Sequence, residues 1–290
     1  MVSGGMELGN PLAPRPPAVG SYHPVRLPLR TWLQAARKAR VTMRENAFGF
    51  YFRAQGLTWW QRMRCAPFLF AVDCLIFRGD ALAERAKNVD LDPRRNDDHR
   101  TVLSYRETFN RSKARLITLL HRTHAYNGAV ARQIVLAEEF LYLENKVTAS
   151  GVATHDEAIR LVDLRSFDLR LLHGMTFALL RRPVDQRLVD LLWPVEVLFD
   201  IGDDLVTYRD DLANGNYNTY DTFVRLYGAA APERLREEIT RYEAMFNAEL
   251  SKYPANRQAE LTAICLPLFK TQTQVIPEPH LRSGSPGPPT

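Results

Sequence analysis

The chain has 290 residues, 46% hydrophobic and 24% charged, enough for one large or two small cored domains, which excludes global disorder. Its 38 Lys and Arg against 33 Asp and Glu leave a net charge of +5, but no Lys/Arg block or aromatic-interleaved basic stripe marks a nucleic-acid binder. Cys65, Cys74 and Cys265 lack metal-ligand spacing and form an odd set, no apolar run spans a membrane and no signal-peptide pattern appears, so a reduced, cytoplasmic setting is expected.

In chain order, residues 1–27 are rich in Gly and Pro and read as a loose arm. Helical periodicity then predicts helices over 29–54, 58–88, 98–125, 128–149, 155–181, 184–213, 218–228, 232–252 and 256–274. The breaks carry their own chemistry. "LDPRRNDD" parts the second helix from the third. Thr154 offers an N-cap with Glu157 as its capping-box partner, and Pro232 suits a helix start. The segment 277–290 again reads as a tail. No alternating strand pattern and no solenoid repeat is present. The expectation is an all-α fold, a single helical domain over 28–276.

The stretch "DIGDDLVTYRDD" at 200–211 concentrates negative charge in a basic chain. Each helical residue advances about 100°, so Asp203, Thr207 and Asp211 share one stripe. Two carboxylates and a hydroxyl are hard oxygen ligands of the kind Mg²⁺ takes, a metal that keeps several waters and bridges to substrate phosphate. Asp204 and Asp200 sit beside the stripe. The competing reading is a solvated acidic helix end, offset by Arg209; the preceding apolar run "LLWPVEVLF" favours a core-facing helix instead.

"DDLVTYRDD" resembles the second metal-binding motif of class I terpene synthases, with Asp203, Asp204, Leu205, Thr207 and Asp211 in register. Asp211 stands where Glu is usual. Asp210 stands where a basic residue is usual, with Arg209 one position earlier as a substitute phosphate contact. The resemblance implies an aspartate-rich motif upstream, and "FAVDCLIFRGD" supplies Asp73, with Asp80 two turns on. "NDDHR" at 96–100 is the alternative, though a helix start explains its acids as caps. It also implies a diphosphate-sensing Arg followed by an acid and an effector at a helix break, which "DLRSFDLRLLHGM" matches with Arg165, Asp168 and Leu169; Arg160 and Arg170 compete for the first role. Arg282 lies where the family makes a C-terminal diphosphate contact.

The resemblance implies a class I isoprenoid-synthase-like helical bundle around a central apolar cavity, and a class I cyclase that ionises a linear prenyl diphosphate, farnesyl diphosphate being the leading candidate, using three Mg²⁺ ions assembled with the diphosphate. The atypical fungal humulene-type sesquiterpene cyclases are the nearest subgroup. An aromatic-lined pocket would shape the carbocation; Phe77 and Phe199 are its candidates beside Phe68, Phe70, Phe167, Phe177 and Trp193. A homodimer is a further expectation. The alternatives are a prenyltransferase on the same fold and a non-catalytic helical scaffold whose acidic stretch is a solvated face. His121 and His124 read as a surface pair, and His173 as a core histidine.

Overall fold

The computed structural model describes residues 27–90, 99–150 and 153–281, and every regular element among them is helical. In order these are α1 (Leu29–Thr42), a π-helical stretch (Met43–Tyr51), α2 (Phe52–Ala54), α3 (Trp59–Asp90), α4 (His99–Arg122), α5 (Gly128–Ser150), α6 (His155–Arg165), α7 (Phe167–Leu179), α8 (Gln186–Asn214), α9 (Thr219–Tyr227), α10 (Ala231–Leu250) and α11 (Ala255–Phe269). The all-α expectation holds.

Local chemistry sets the ends. Thr154 and Glu157 form the expected reciprocal capping box at α6. Thr58 and Gln61 exchange the same pair of bonds ahead of α3. Asp185 and Asn218 cap α8 and α9 through their side chains. Four helix ends close through a left-handed residue and a bond spanning five residues, at Gly56, His124, Arg181 and Gly215. His124 therefore terminates α4, while His121 stacks on Tyr126 at 4.0 Å.

The structure departs from the predicted elements in two places. The segment expected as one helix over 155–181 is two, because Ser166 leaves helical geometry at ψ 24°. Its hydroxyl donates to Asp200 and its carbonyl accepts from Arg170 Nε at 3.2 Å, so tertiary bonds hold the bend. The segment expected as one helix over 29–54 contains the π-helical stretch, whose wider winding turns Met43 and Ala47 towards one core cluster and Phe50 and Tyr51 towards another.

Those two clusters organise the molecule. One joins α8, buried over most of its circumference, to α9, α10 and α11. The other lies among α3, α4, α5 and α7. α7 serves both: Leu169 faces the first, while Leu171, Leu172 and Met175 face the second. Beyond α11 the chain crosses back over α8. Tyr220 donates to the Pro277 carbonyl at 2.6 Å, and the His280 amide donates to the Tyr208 hydroxyl at 2.9 Å. Gly202 permits this approach, since a Cβ there would lie 2.8 Å from the Gln272 side chain.

Candidate functional site

The C-terminal half of α8 sorts its acids by face. Asp204 is fully buried, and its Oδ2 accepts from the Arg165 guanidinium and from the Thr219 amide at 2.7 Å. Its Oδ1 is buried without a partner. Asp200 accepts from Ser166, and burial pushes its pKa up to about 7 although Arg165 opposes the shift. Asp203 is exposed, Thr207 and Asp211 half-buried.

Of the predicted stripe, the Thr207 and Asp211 side chains are bonded to each other, while Asp203 is joined to Thr207 through its backbone carbonyl. The Thr207 hydroxyl donates to Asp211 Oδ2 at 2.6 Å and bonds the Asp203 carbonyl at 3.0 Å. Asn218 ties this stripe to the buried face, donating to Asp211 Oδ2 at 3.0 Å and to the Asp204 carbonyl at 2.8 Å. Asn216 reaches Asp211 Oδ1 at 3.2 Å. Desolvation raises the Asp203 pKa, Arg165 pulls it back, and Asp204 and Asp211 add to the rise. Among the described residues no group of three His, Cys, Asp or Glu side chains is gathered for a metal. Three hard oxygen donors on one accessible stripe do fit Mg²⁺, whose remaining ligands would be water and phosphate.

Arg165, at the C-terminal end of α6, is the cation of the site. Burial works against its charge, but Asp204 and Asp200 outweigh that and hold its pKa above the ordinary arginine value. Its guanidinium carbon also lies 5.7 Å from the Tyr217 ring centre. Asp168 follows across the Ser166 bend, accepts from the Leu169 amide at 2.8 Å, and has its pKa raised by burial.

Asp73 lies on α3, fully buried, and neither of its oxygens has a hydrogen-bond partner of good geometry. Burial pushes its carboxyl up to about 8; Asp168 adds to the rise and the nearby Thr42 hydroxyl opposes it. Asp73 thus couples to Asp168 rather than to the Asp203 stripe, and Asp80 is exposed. Deeper still, Glu196 accepts from Tyr51 at 2.5 Å and faces Arg170 at 3.6 Å, with its own pKa pushed up to about 8 by burial. His173 is sandwiched between the Tyr51 and Phe177 rings at 4.7 and 5.1 Å, and burial lowers its pKa to about 3.

A cavity of about 240 Å³ opens between α3, α4, α5 and α7. Leu75, Ile76, Phe109, Leu116, Ile134 and Phe167 are among its apolar walls; Arg78, Arg115 and Lys113 line it together with Asp80 and Glu138, the last paired with Lys113 at 2.8 Å. Phe167 joins it to Arg165 through a ring chain: Phe167 to Phe140 at 5.6 Å, Phe140 to Tyr217 at 6.4 Å. Phe77, which lies under Lys38 at 5.7 Å, is not among the lining residues of this cavity, nor are Phe199 and Leu169. Arg209 is exposed beside the stripe. Arg282 lies outside the described residues, as do positions 96–98 of the competing acidic motif.

Sequence reasoning missed Asn218, Asn216, Tyr217 and Glu196. The polar turn "ANGNYN" showed only that the helix ends, and nothing in it told which acid its amides would reach. Comparison with protein-family models, with curated proteins and with solved structures finds no match to this chain.

Proposed function

We propose that the chain is a divergent class I terpene cyclase that takes a linear prenyl diphosphate, farnesyl diphosphate foremost, and releases diphosphate and a cyclic sesquiterpene. The observation that carries this reading is the Asp203–Thr207–Asp211 stripe with the Arg165 guanidinium one residue position inward on Asp204. Asp203, Thr207 and Asp211 would hold Mg²⁺. The metal, when bound, neutralises charge developing on the leaving diphosphate.

The remaining roles fall to the chain itself. Arg165 bonds Asp204 through one guanidinium nitrogen, and its remaining N–H groups would donate to phosphate oxygens. Asn218 and Asn216 fix the Asp211 carboxylate in its rotamer before any ligand arrives. The apolar walls of the cavity would take the hydrocarbon, and the Phe140, Phe167 and Tyr217 rings link it to Arg165. In the reaction the carbon–oxygen bond would break with both electrons leaving on diphosphate, the cation would close on an internal double bond, and a proton would pass from carbon to the released diphosphate or water.

Purified protein incubated with C10, C15 and C20 prenyl diphosphates, with and without Mg²⁺, tests the reading by analysis of volatile products. Cyclic hydrocarbon that disappears with chelator is the expected result. Longer prenyl diphosphates formed only when isopentenyl diphosphate is present would replace the cyclase by a prenyltransferase. No turnover with any chain length, and no Mg²⁺-dependent binding of diphosphate, would leave the helical scaffold.

A further inference from the structure

The solvent-facing sector of α3 runs against the usual pattern. On its first four turns, positions 59, 60, 63, 67, 70 and 71 fall on one side of the helix, and all six are exposed: Trp59, Trp60, Met63, Pro67, Phe70 and Ala71. Trp60 is 82% exposed and Trp59 61%. The opposite side, with Cys65, Leu69 and Val72, is buried normally. This is a helix that is apolar on both faces, and the core takes only one of them.

The adjacent helix also leaves apolar side chains exposed. α1 and the π-helical stretch run antiparallel to α3, with Phe48 against Trp59, Lys38 over Phe77 and Trp32 under Arg78. Its outward positions include Leu29 and Leu33, 73% and 55% exposed, interleaved with Arg30, Arg37, Arg40 and Arg44. Residues 27–72 hold eight Arg and Lys against one acid, Glu45, which leaves the rest of the chain slightly acidic. No run of basic residues marks this in the sequence; winding into helices gathers them.

We propose that the outer faces of α1 and α3 dock the protein on an anionic lipid surface. Exposed Trp, Met and Phe among Arg side chains match the boundary between headgroups and acyl chains, where aromatic rings and long cationic side chains are both accommodated. No described helix is long and apolar enough to cross a membrane, so contact is in the plane of the interface. Charge decides against the other occupants. A two-fold dimer through this face would set two strongly basic surfaces against each other. A nucleic acid would satisfy the arginines but leave Leu29, Leu33 and Met63 without apolar cover. The proposal does not depend on the catalytic reading.

The test is co-sedimentation of the full chain with vesicles of phosphatidylcholine alone and of phosphatidylcholine mixed with phosphatidylglycerol, at low and high ionic strength, beside the Trp60→Glu/Met63→Glu double variant. Because both residues are exposed, the variant is expected to keep its circular-dichroism spectrum and thermal midpoint. Expected are partition onto anionic vesicles with a blue shift of tryptophan emission, a loss of about tenfold or more in the double variant, and weakening by salt. Absence of partition, or partition that the double variant retains, overturns the proposal. So does a dimer in analytical ultracentrifugation that the double variant dissociates, or nucleic-acid binding that the variant loses while vesicle binding is absent.

Discussion

Between Asp203 and Asp204 the α8 backbone turns by about 100°, and that turn separates a carboxylate in solvent from one bonded to Arg165. The two acids therefore make opposite predictions. Asp203→Ala is expected to leave the thermal midpoint unchanged while lowering cyclisation by about 100-fold, on the scale of losing one preorganised charge-stabilising group; product analysis and a melting curve check both halves. Asp204→Ala is expected to destabilise the fold by about 3 kcal/mol, because it strands the Arg165 charge, and chemical denaturation reads that directly. Asp73 makes a prediction about pH. An unfolded aspartate ionises near 3.8, whereas folded Asp73 keeps its proton up to about 8. The unfolded chain thus releases its proton first, and stability falls as pH rises from about 4 to about 8. Asp200 and Glu196 act in the same sense. His173 acts in the other: it stays neutral when folded down to about 3, so stability is lost as pH falls below its ordinary 6.5. Melting temperatures across pH 5 to 8 are expected to drop in the parent chain and to drop less steeply in Asp73→Asn, where Asp200 and Glu196 still act.

At the scale of elements, the helices were legible because their periodicity and caps are local. Thr154 and Glu157 announce the start of α6 within four residues, and Pro183 lies just past the end of α7. The Ser166 bend was not legible: its cause is the bonds to Asp200 and Arg170, and Asp200 lies 34 positions away. The same holds for the site. Spacing placed Asp203, Thr207 and Asp211 on one stripe, but could not show that Asp204 would turn inward to Arg165 or that Asn218 would fasten both faces. Arg181 offers a test of how helix ends are held. It sits at φ 53°, a left-handed conformation that a residue with a Cβ adopts at a cost, and it is exposed. Arg181→Gly is expected to raise stability by roughly 0.5–1 kcal/mol, measured by urea denaturation.

At the scale of the molecule, Tyr51 of the α8 cluster bonds Glu196 within that cluster and stacks on His173, whose helix α7 carries Leu171, Leu172 and Met175 into the other cluster. Tyr51→Phe removes the hydroxyl and leaves a buried Glu196 oxygen without its donor, at a cost of about 1–3 kcal/mol. Trp193 packs against the α8 cluster and Trp59 lies beside Phe48 of the other, so single-tryptophan variants can follow each cluster separately. If the clusters unfold as one unit, Tyr51→Phe shifts both transitions equally; a shift seen by Trp193 alone would show two units.

The π-helical stretch that feeds both clusters also bears on tolerance of a lost residue. A π-wound turn closes over one more residue than an α-wound turn. Deleting one residue between 43 and 51 would let it rewind as α-helix with the flanking helices near their present phase, whereas rewinding all nine residues would rotate α1 by about 100° relative to α2. That rotation would carry Lys38 off Phe77 and Trp32 off Arg78 together. The contacts on either side therefore hold the extra residue in its π-wound turn, and one residue removed from 43–51 is expected to lower the thermal midpoint less than one removed from the middle of α8.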